Sequence, residues 1–182
     1  MQQNHECYTY TGRFPVYRGR ISSMIYVSPP ENPSSMQLKV RAQWDPGASN
    51  TLISKRLFDA LDLDFLASSQ NLRTAMGYVS KAKESEVWIT IVLGGFPIKL
   101  KVCVVDHPSG YDDIDILLGL DFLLRGNFSI SLQDGIPMFS FCYPSLIPVD
   151  YHACLENLNI PHIHIEDDQA DCILPNQNPL NL

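Results

Sequence analysis

The chain has 182 residues, 45% hydrophobic and 18% charged, with a formal net charge of -7 at pH 7. That length holds one ordinary domain plus an appendage, with enough apolar residues for a sizeable core. The acidic balance argues against nucleic acid or an anionic membrane as the main ligand, while leaving room for a local basic patch.

Other classes recede for equally simple reasons. No apolar run reaches the roughly 18 residues of a membrane span, and the first six residues, MQQNHE, have neither the positive nor the apolar stretch of a secretion signal. A cytoplasmic location, with no membrane contact, is the expectation. Cysteines at 7, 103, 142, 154 and 172 form no close pair, so a disulfide scaffold is not expected. Cys103 lies in an apolar strand pattern and reads as a buried thiol.

Residues 1–20 read as an N-terminal arm, in which Arg13, Arg18 and Arg20 interleave with Tyr8, Tyr10, Phe14 and Tyr17. Residues 21–27 (ISSMIYV) predict a strand. After a proline-rich break, residues 36–44 (MQLKVRAQW) alternate over nine positions, the signature of a strand with one covered face. These two segments are expected to pair as a hairpin.

The turn Asp45-Pro46-Gly47 follows, and then apolar residues at helical spacing predict a short helix over 54–61 capped by Ser54. Strand patterns recur at 71–79, 86–93 and 98–105. Residues 113–122 (DIDILLGLDF) are almost wholly apolar around Gly119, which predicts a short buried central strand passing into a turn and then a short helix over 120–125. Strands over 128–132 and 138–141 flank a turn at Gln133-Asp134-Gly135. From 142 to 182 periodicity disappears, and prolines and asparagines mark a C-terminal extension. The fold class predicted is all-β, with one or two short helices, over a domain at 21–141.

Asp45 is the residue best placed for chemistry. It stands where an alternating strand gives way to a tight turn, with Gly47 permitting close backbone approach or a positive φ, and with Ala48 and Ser49 small. Two carboxylates held about 3 Å apart cannot both ionise comfortably, so they share a proton; one can then polarise a carbonyl while the other activates water. The plain alternative is that Asp-Pro-Gly is a structural turn, since all three residues favour turns.

The string Trp44-Asp45-Pro46-Gly47-Ala48-Ser49, followed at a distance by Ile114-Asp115-Ile116-Leu117-Leu118-Gly119-Leu120-Asp121-Phe122-Leu123, resembles the retropepsin-like aspartic proteases, the single-domain relatives of pepsin. The resemblance covers roughly residues 21–141. It implies a retropepsin-like acid-protease fold, a closed barrel-like meander with a flap hairpin. By the same resemblance the chain would be an aspartic endopeptidase acting as a homodimer on a polypeptide bound in extended form, without metal or cofactor. Asp45 would be the catalytic residue, Pro46, Gly47, Ala48 and Ser49 its loop, and Leu118 and Gly119 the support behind that loop. Ala75, Met76, Gly77 and Tyr78 would form the flap; the alternative for Gly77 is an ordinary turn glycine. Ile53, Met76, Tyr78 and Leu118 are candidate wall or support residues.

One departure stands out. The family has Thr or Ser after the catalytic Asp, with a hydroxyl that hydrogen-bonds across the dimer axis. Pro46 has neither that hydroxyl nor an N–H. A catalytically weak or inactive pairing or peptide-binding module on the same fold is therefore the alternative reading. The sequence holds one Asp-x-Gly loop, so for a catalytic protein a symmetric homodimer supplying Asp45 twice is the natural construction.

Remaining candidates are weaker. His152, Cys154, His162, His164 and Cys172 are zinc-type donors without the usual close spacing. Asp112-Asp113-Asp115 lacks a glycine-spaced calcium loop. Neither Gly-x-Ser-x-Gly nor a phosphate-binding glycine loop occurs.

Overall fold

Alternation in the sequence becomes strand pairing in the computed structural model, which describes residues 7–13, 20–31, 36–66, 72–73, 79–80, 86–93, 96–109, 112–145, 150–159 and 161. The expected first hairpin forms between β2 (Ile21–Ser28) and β3 (Leu38–Trp44), in antiparallel register from Ile21 opposite Trp44 to Val27 opposite Leu38. Ile25, Val27, Val40, Ala42 and Trp44 turn inward and are buried, while Met24, Tyr26, Lys39 and Arg41 face out. A second long hairpin, β7 (Glu86–Leu93) with β8 (Phe96–Val105), inserts Ile89, Ile91, Leu93, Ile98, Leu100, Val102 and Val104 into the same core.

Two short strands close the barrel. β4 (Leu52–Ser54) runs parallel to β8, and β9 (Ile116–Leu118) lies between β3 and β4, parallel to β3 and antiparallel to β4. The closed order is β2-β3-β9-β4-β8-β7. All three residues of β9 are buried, which explains why its sequence is an unbroken apolar run rather than an alternating one.

Helix α1 (Lys55–Ala60) starts where predicted: Ser54 Oγ accepts from the Leu57 N–H at 3.0 Å. Helix α2 (Leu120–Leu123) follows β9 directly, burying Phe122 and Leu123. The two-residue strands β5 (Leu72–Arg73) and β6 (Val79–Ser80) pair antiparallel. The expected flap residues 75–78 lie between them, outside the described residues.

A three-stranded sheet, order β1-β11-β10, packs against the barrel core. β10 (Asn127–Gln133) and β11 (Ile136–Tyr143) join through Asp134 and Gly135, both at positive φ (53° and 75°), as a two-residue hairpin turn requires. β1 (Tyr8–Arg13) pairs with β11, although the sequence reading gave that segment no secondary structure. Its alternating YTYTGR pattern was the available signal: Tyr8 and Tyr10 pack on the core and Thr9 and Thr11 do not.

The chain divides into two units, Met1–Ile147 and Pro148–Leu182. The second contains α3 (Tyr151–Asn157), begun by Asp150, whose Oδ1 accepts from the Ala153 N–H at 3.2 Å. The sequence reading placed no helix there, because seven residues among prolines and asparagines show no period long enough to detect. His162, His164 and Cys172, the outer members of the zinc-type set, lie outside the described residues.

Candidate active site

Parallel pairing of β3 with β9 sets Trp44 beside Leu118, and this brings the two sequence motifs together. The Asp45 N–H donates to the Leu118 carbonyl at 2.9 Å, and the Ala48 N–H donates to the Asp45 carbonyl at 3.1 Å, closing a turn over residues 45–48. Pro46 is the second residue of this turn. There the ring's fixed φ suits the chain and the missing N–H is not part of the turn bond.

Asp45 is half-buried, and its Oδ1 accepts from the Gly47 N–H at 2.9 Å. A Cβ on Gly47 would come 3.1 Å from that same oxygen. Of the two roles anticipated for Gly47, close approach is therefore the one it fills.

Behind the loop, the strand end at Leu118-Gly119 acts as a backstop. The Leu120 N–H donates to the Ala48 carbonyl at 2.8 Å, and the Asp121 N–H reaches the Ser49 carbonyl at 3.3 Å. A Cβ on Gly119 would lie 2.5 Å from the Asn50 carbonyl carbon and 2.9 Å from the Ala48 carbonyl oxygen, so only glycine allows the two backbones to meet. Ile53 and Leu118 are fully buried, so they support the loop from the core rather than line a cleft.

Thr51 and Asp121 are the residues that sequence reading missed. Thr51 is fully buried; its Oγ1 donates to Asp121 Oδ1 at 2.7 Å and accepts from the Gly119 N–H at 3.1 Å, while its N–H donates to Asp121 Oδ2 at 3.0 Å. One threonine thus ties the strand after the Asp45 loop to the turn after β9. The only sequence signal was a polar residue at each end of two otherwise apolar strings.

Trp44, immediately before Asp45, sits in an aromatic cage. Its ring stacks on Tyr10 at 5.8 Å and lies 5.0 to 6.1 Å from Phe139, Phe141 and Phe122, while its Nε1 donates to the buried Ser23 Oγ at 2.8 Å. The residue preceding the carboxylate is therefore fixed by ring packing and by a hydrogen bond.

Three other carboxylates near the two motifs or in turns are placed differently. Asp121 is held by Thr51, and Asp134 lies at the β10–β11 turn. Asp115 Oδ1 accepts from Ser54 Oγ at 3.1 Å and from Arg56 Nη2 at 2.7 Å. That partner raises the Arg56 pKa further above its already high ordinary value.

A family model described as "gag-polyprotein putative aspartyl protease" matches residues 36–125, a span that includes Asp45 and Gly119. Over residues 36–125 the chain matches the retropepsin-like aspartic proteases. No match was found among curated proteins. Solved structures similar to the chain include a retropepsin-like aspartic protease from Rickettsia conorii, at 18% identity and TM-score 0.46, covering 78% of this chain and 98% of that one. EIAV protease complexed with the inhibitor HBY-793 aligns at 16% identity and TM-score 0.41, over 61% of this chain and 91% of that one. The retroviral protease-like domain of Ddi1 from Leishmania major aligns at 18% identity and TM-score 0.35, over 63% and 90%. The retropepsin-like domain holds the Asp45 loop in a bonded, half-buried turn at one edge of a closed barrel.

Proposed function

We propose that the protein is an aspartic endopeptidase that hydrolyses peptide bonds as a homodimer, each chain supplying Asp45. The observation that carries this reading is a single half-buried carboxylate, anchored through its own backbone to Leu118 and through its side chain to Gly47, within the segment that matches the family. One such group cannot divide the roles of acid and base. Two brought together by pairing can, with one protonated and one ionised.

In that pair the ionised Asp45 takes a proton from water, which attacks the scissile carbonyl. The protonated Asp45 donates toward the developing oxyanion, and a proton then passes to the leaving nitrogen. The substrate is a polypeptide held extended between subunits, with backbone hydrogen bonds supplying general affinity. Residues 75–78 serve as the flap, closing over it to exclude water. No helix among the described residues is long and apolar enough to cross a membrane, and the proposed site of action is the cytoplasm.

Pro46 favours a second reading, a retropepsin-like pairing or peptide-binding module with little or no catalysis. Without a hydroxyl it cannot make the cross-axis bond that the family's Thr or Ser makes, and a carboxylate misplaced by about 1 Å loses on the order of 100-fold in rate. The deciding comparison is wild type against Asp45→Asn, assayed over pH with a diverse peptide pool and weighed by sedimentation. Cleavage by the wild-type dimer alone supports the protease; equal cleavage by both proteins removes Asp45 from the mechanism; dimers without cleavage favour the binding module.

A further inference from the structure

The outer wall of the barrel has a charge opposite to that of the chain. Strands β2, β3, β7 and β8 are contiguous in the barrel and carry four cations, Lys39, Arg41, Lys99 and Lys101, against one acidic residue, Glu86, in a protein of net charge -7; Arg41 is paired with Asp113, its Nε 3.8 Å from Oδ2. All four cations occupy exposed, outward positions of their strands. On the same wall stand two aromatic rings that a core would ordinarily claim: Tyr26 is 44% exposed and Trp88 is 38% exposed.

Cations and rings are paired. Lys39 Nζ lies 5.9 Å from the Tyr26 ring centroid, and Lys99 Nζ lies 5.2 Å from that of Trp88. Tyr26 is opposite Val92 on β7, four residues from Trp88, so the two footholds are separated by about 13 Å along the strand. Between them the outward positions include the small, buried Ser28 and Thr90, which separates the footholds.

The Trp88 foothold opens onto a cleft of about 240 Å³ whose walls include Asn50, Lys101, Asp121 and Arg125. Arg125 is pinned there by donating to the Lys99 carbonyl at 3.0 Å and the Asp121 carbonyl at 3.2 Å. The Asp121 carboxylate is already engaged by Thr51 through two bonds. The cleft therefore combines an indole face, an amide and two cations, with its one carboxylate tied down.

We propose that this wall binds single-stranded nucleic acid, with a base against Trp88 at the cleft and the backbone phosphates on Lys99 and Lys39. Rings alternating with cations suit this partner better than an acidic peptide, because bases supply π faces for the rings while phosphates meet the lysines. The site does not include Asp45 and does not depend on whether the chain cleaves peptides, although Asn50 and Asp121 in its walls belong to the segments that brace the Asp45 loop.

The test uses the full chain and a fluorescein-labelled 12-nucleotide oligouridylate, followed by anisotropy across a salt series. The expected result is saturable binding whose log affinity falls with log salt, with a slope of about 0.7 for each phosphate neutralised. Lys39→Glu with Lys99→Glu should weaken binding at least about tenfold and flatten that slope. Trp88→Ala should weaken it about tenfold with the slope unchanged, since stacking releases no counterions. Trp44 is only 2% exposed, so quenching of tryptophan fluorescence by the oligonucleotide should be lost in Trp88→Ala. Thermal unfolding checks that each variant remains folded. Absence of binding at 50 mM salt overturns the proposal. So does equal affinity for polyglutamate with no effect of Trp88→Ala, a result that would mark the wall as a general polyanion surface.

Discussion

Thr51 and Asp121 clasp each other through two hydrogen bonds, 2.7 Å from Thr51 Oγ1 and 3.0 Å from its N–H, and the same Thr51 oxygen takes up the buried Gly119 N–H. This clasp joins the chain just after the Asp45 loop to the turn that backs it. Thr51→Val keeps the volume but strands both Gly119 N–H and part of the Asp121 carboxylate. The expected loss is about 1–3 kcal/mol in denaturant-unfolding stability, and Thr51→Ser should recover most of it.

Gly119→Ala should be worse than an ordinary added methyl. Its Cβ would meet backbone atoms of Asn50 and Ala48 at 2.5 to 2.9 Å, and backbone cannot swing aside as a side-chain tip can. Destabilisation of about 1–3 kcal/mol or more is expected, with amide shifts in 45–51 when wild-type and variant NMR spectra are compared.

Ser23→Ala removes the hydroxyl that accepts from Trp44 Nε1 in a buried site. An orphaned indole N–H should lower stability by about 1–3 kcal/mol, read from the denaturant midpoint at unchanged m-value.

Alkaline pH should loosen the β1-β11-β10 sheet first. Burial pushes the Tyr8, Tyr10 and Cys142 pKa values above their ordinary ranges, with the neighbouring Tyr10 adding to Tyr8 and the neighbouring Cys7 adding to Cys142. Each group is thus held in its neutral form more firmly in the folded state than in the unfolded one. Stability from all three is fully present below the unfolded values, about 8.5 for a thiol and about 10 for a phenol, and is lost as pH rises through the raised folded values. Hydrogen exchange between pH 8 and 11, corrected for intrinsic rate, should show β1 and β11 amides losing protection before those of β3. Alkylation of Cys142 should also lag that of the exposed Cys154 near pH 8.

Pro46→Thr supplies a hydroxyl at the loop position where the family has one. If pairing runs through that position, sedimentation should show self-association tightened by roughly fivefold for each hydrogen bond gained. Unchanged association would mean that Pro46 does not limit pairing.

Much of this was legible in the residues themselves. Period-two patterns located β3 and β8, and strand-like apolar runs located β2 and β7, since alternation is a direct consequence of strand geometry. The Ser54 cap fixed the start of α1, the unbroken apolar run identified β9, and Asp45 stood out as a carboxylate in a glycine-containing turn. α3 escaped because seven residues make only about two helical turns, whereas β1 carried an alternating YTYTGR signal that was read only as part of an N-terminal arm.

What alternation cannot state is which strand lies beside which. It records that one face is covered, not by what, because the same pattern suits any neighbour with a complementary face. Only the folded chain places β9 between β3 and β4, and that one placement sets Leu118 against Asp45 and Gly119 against Ala48 and Asn50, and lets Thr51 reach Asp121. The sequence alone determined that a carboxylate would stand at a tight turn. Tertiary structure decided what holds it there, because the backbone groups that brace the loop come from about 70 residues away and meet it only after long-range packing has closed the barrel.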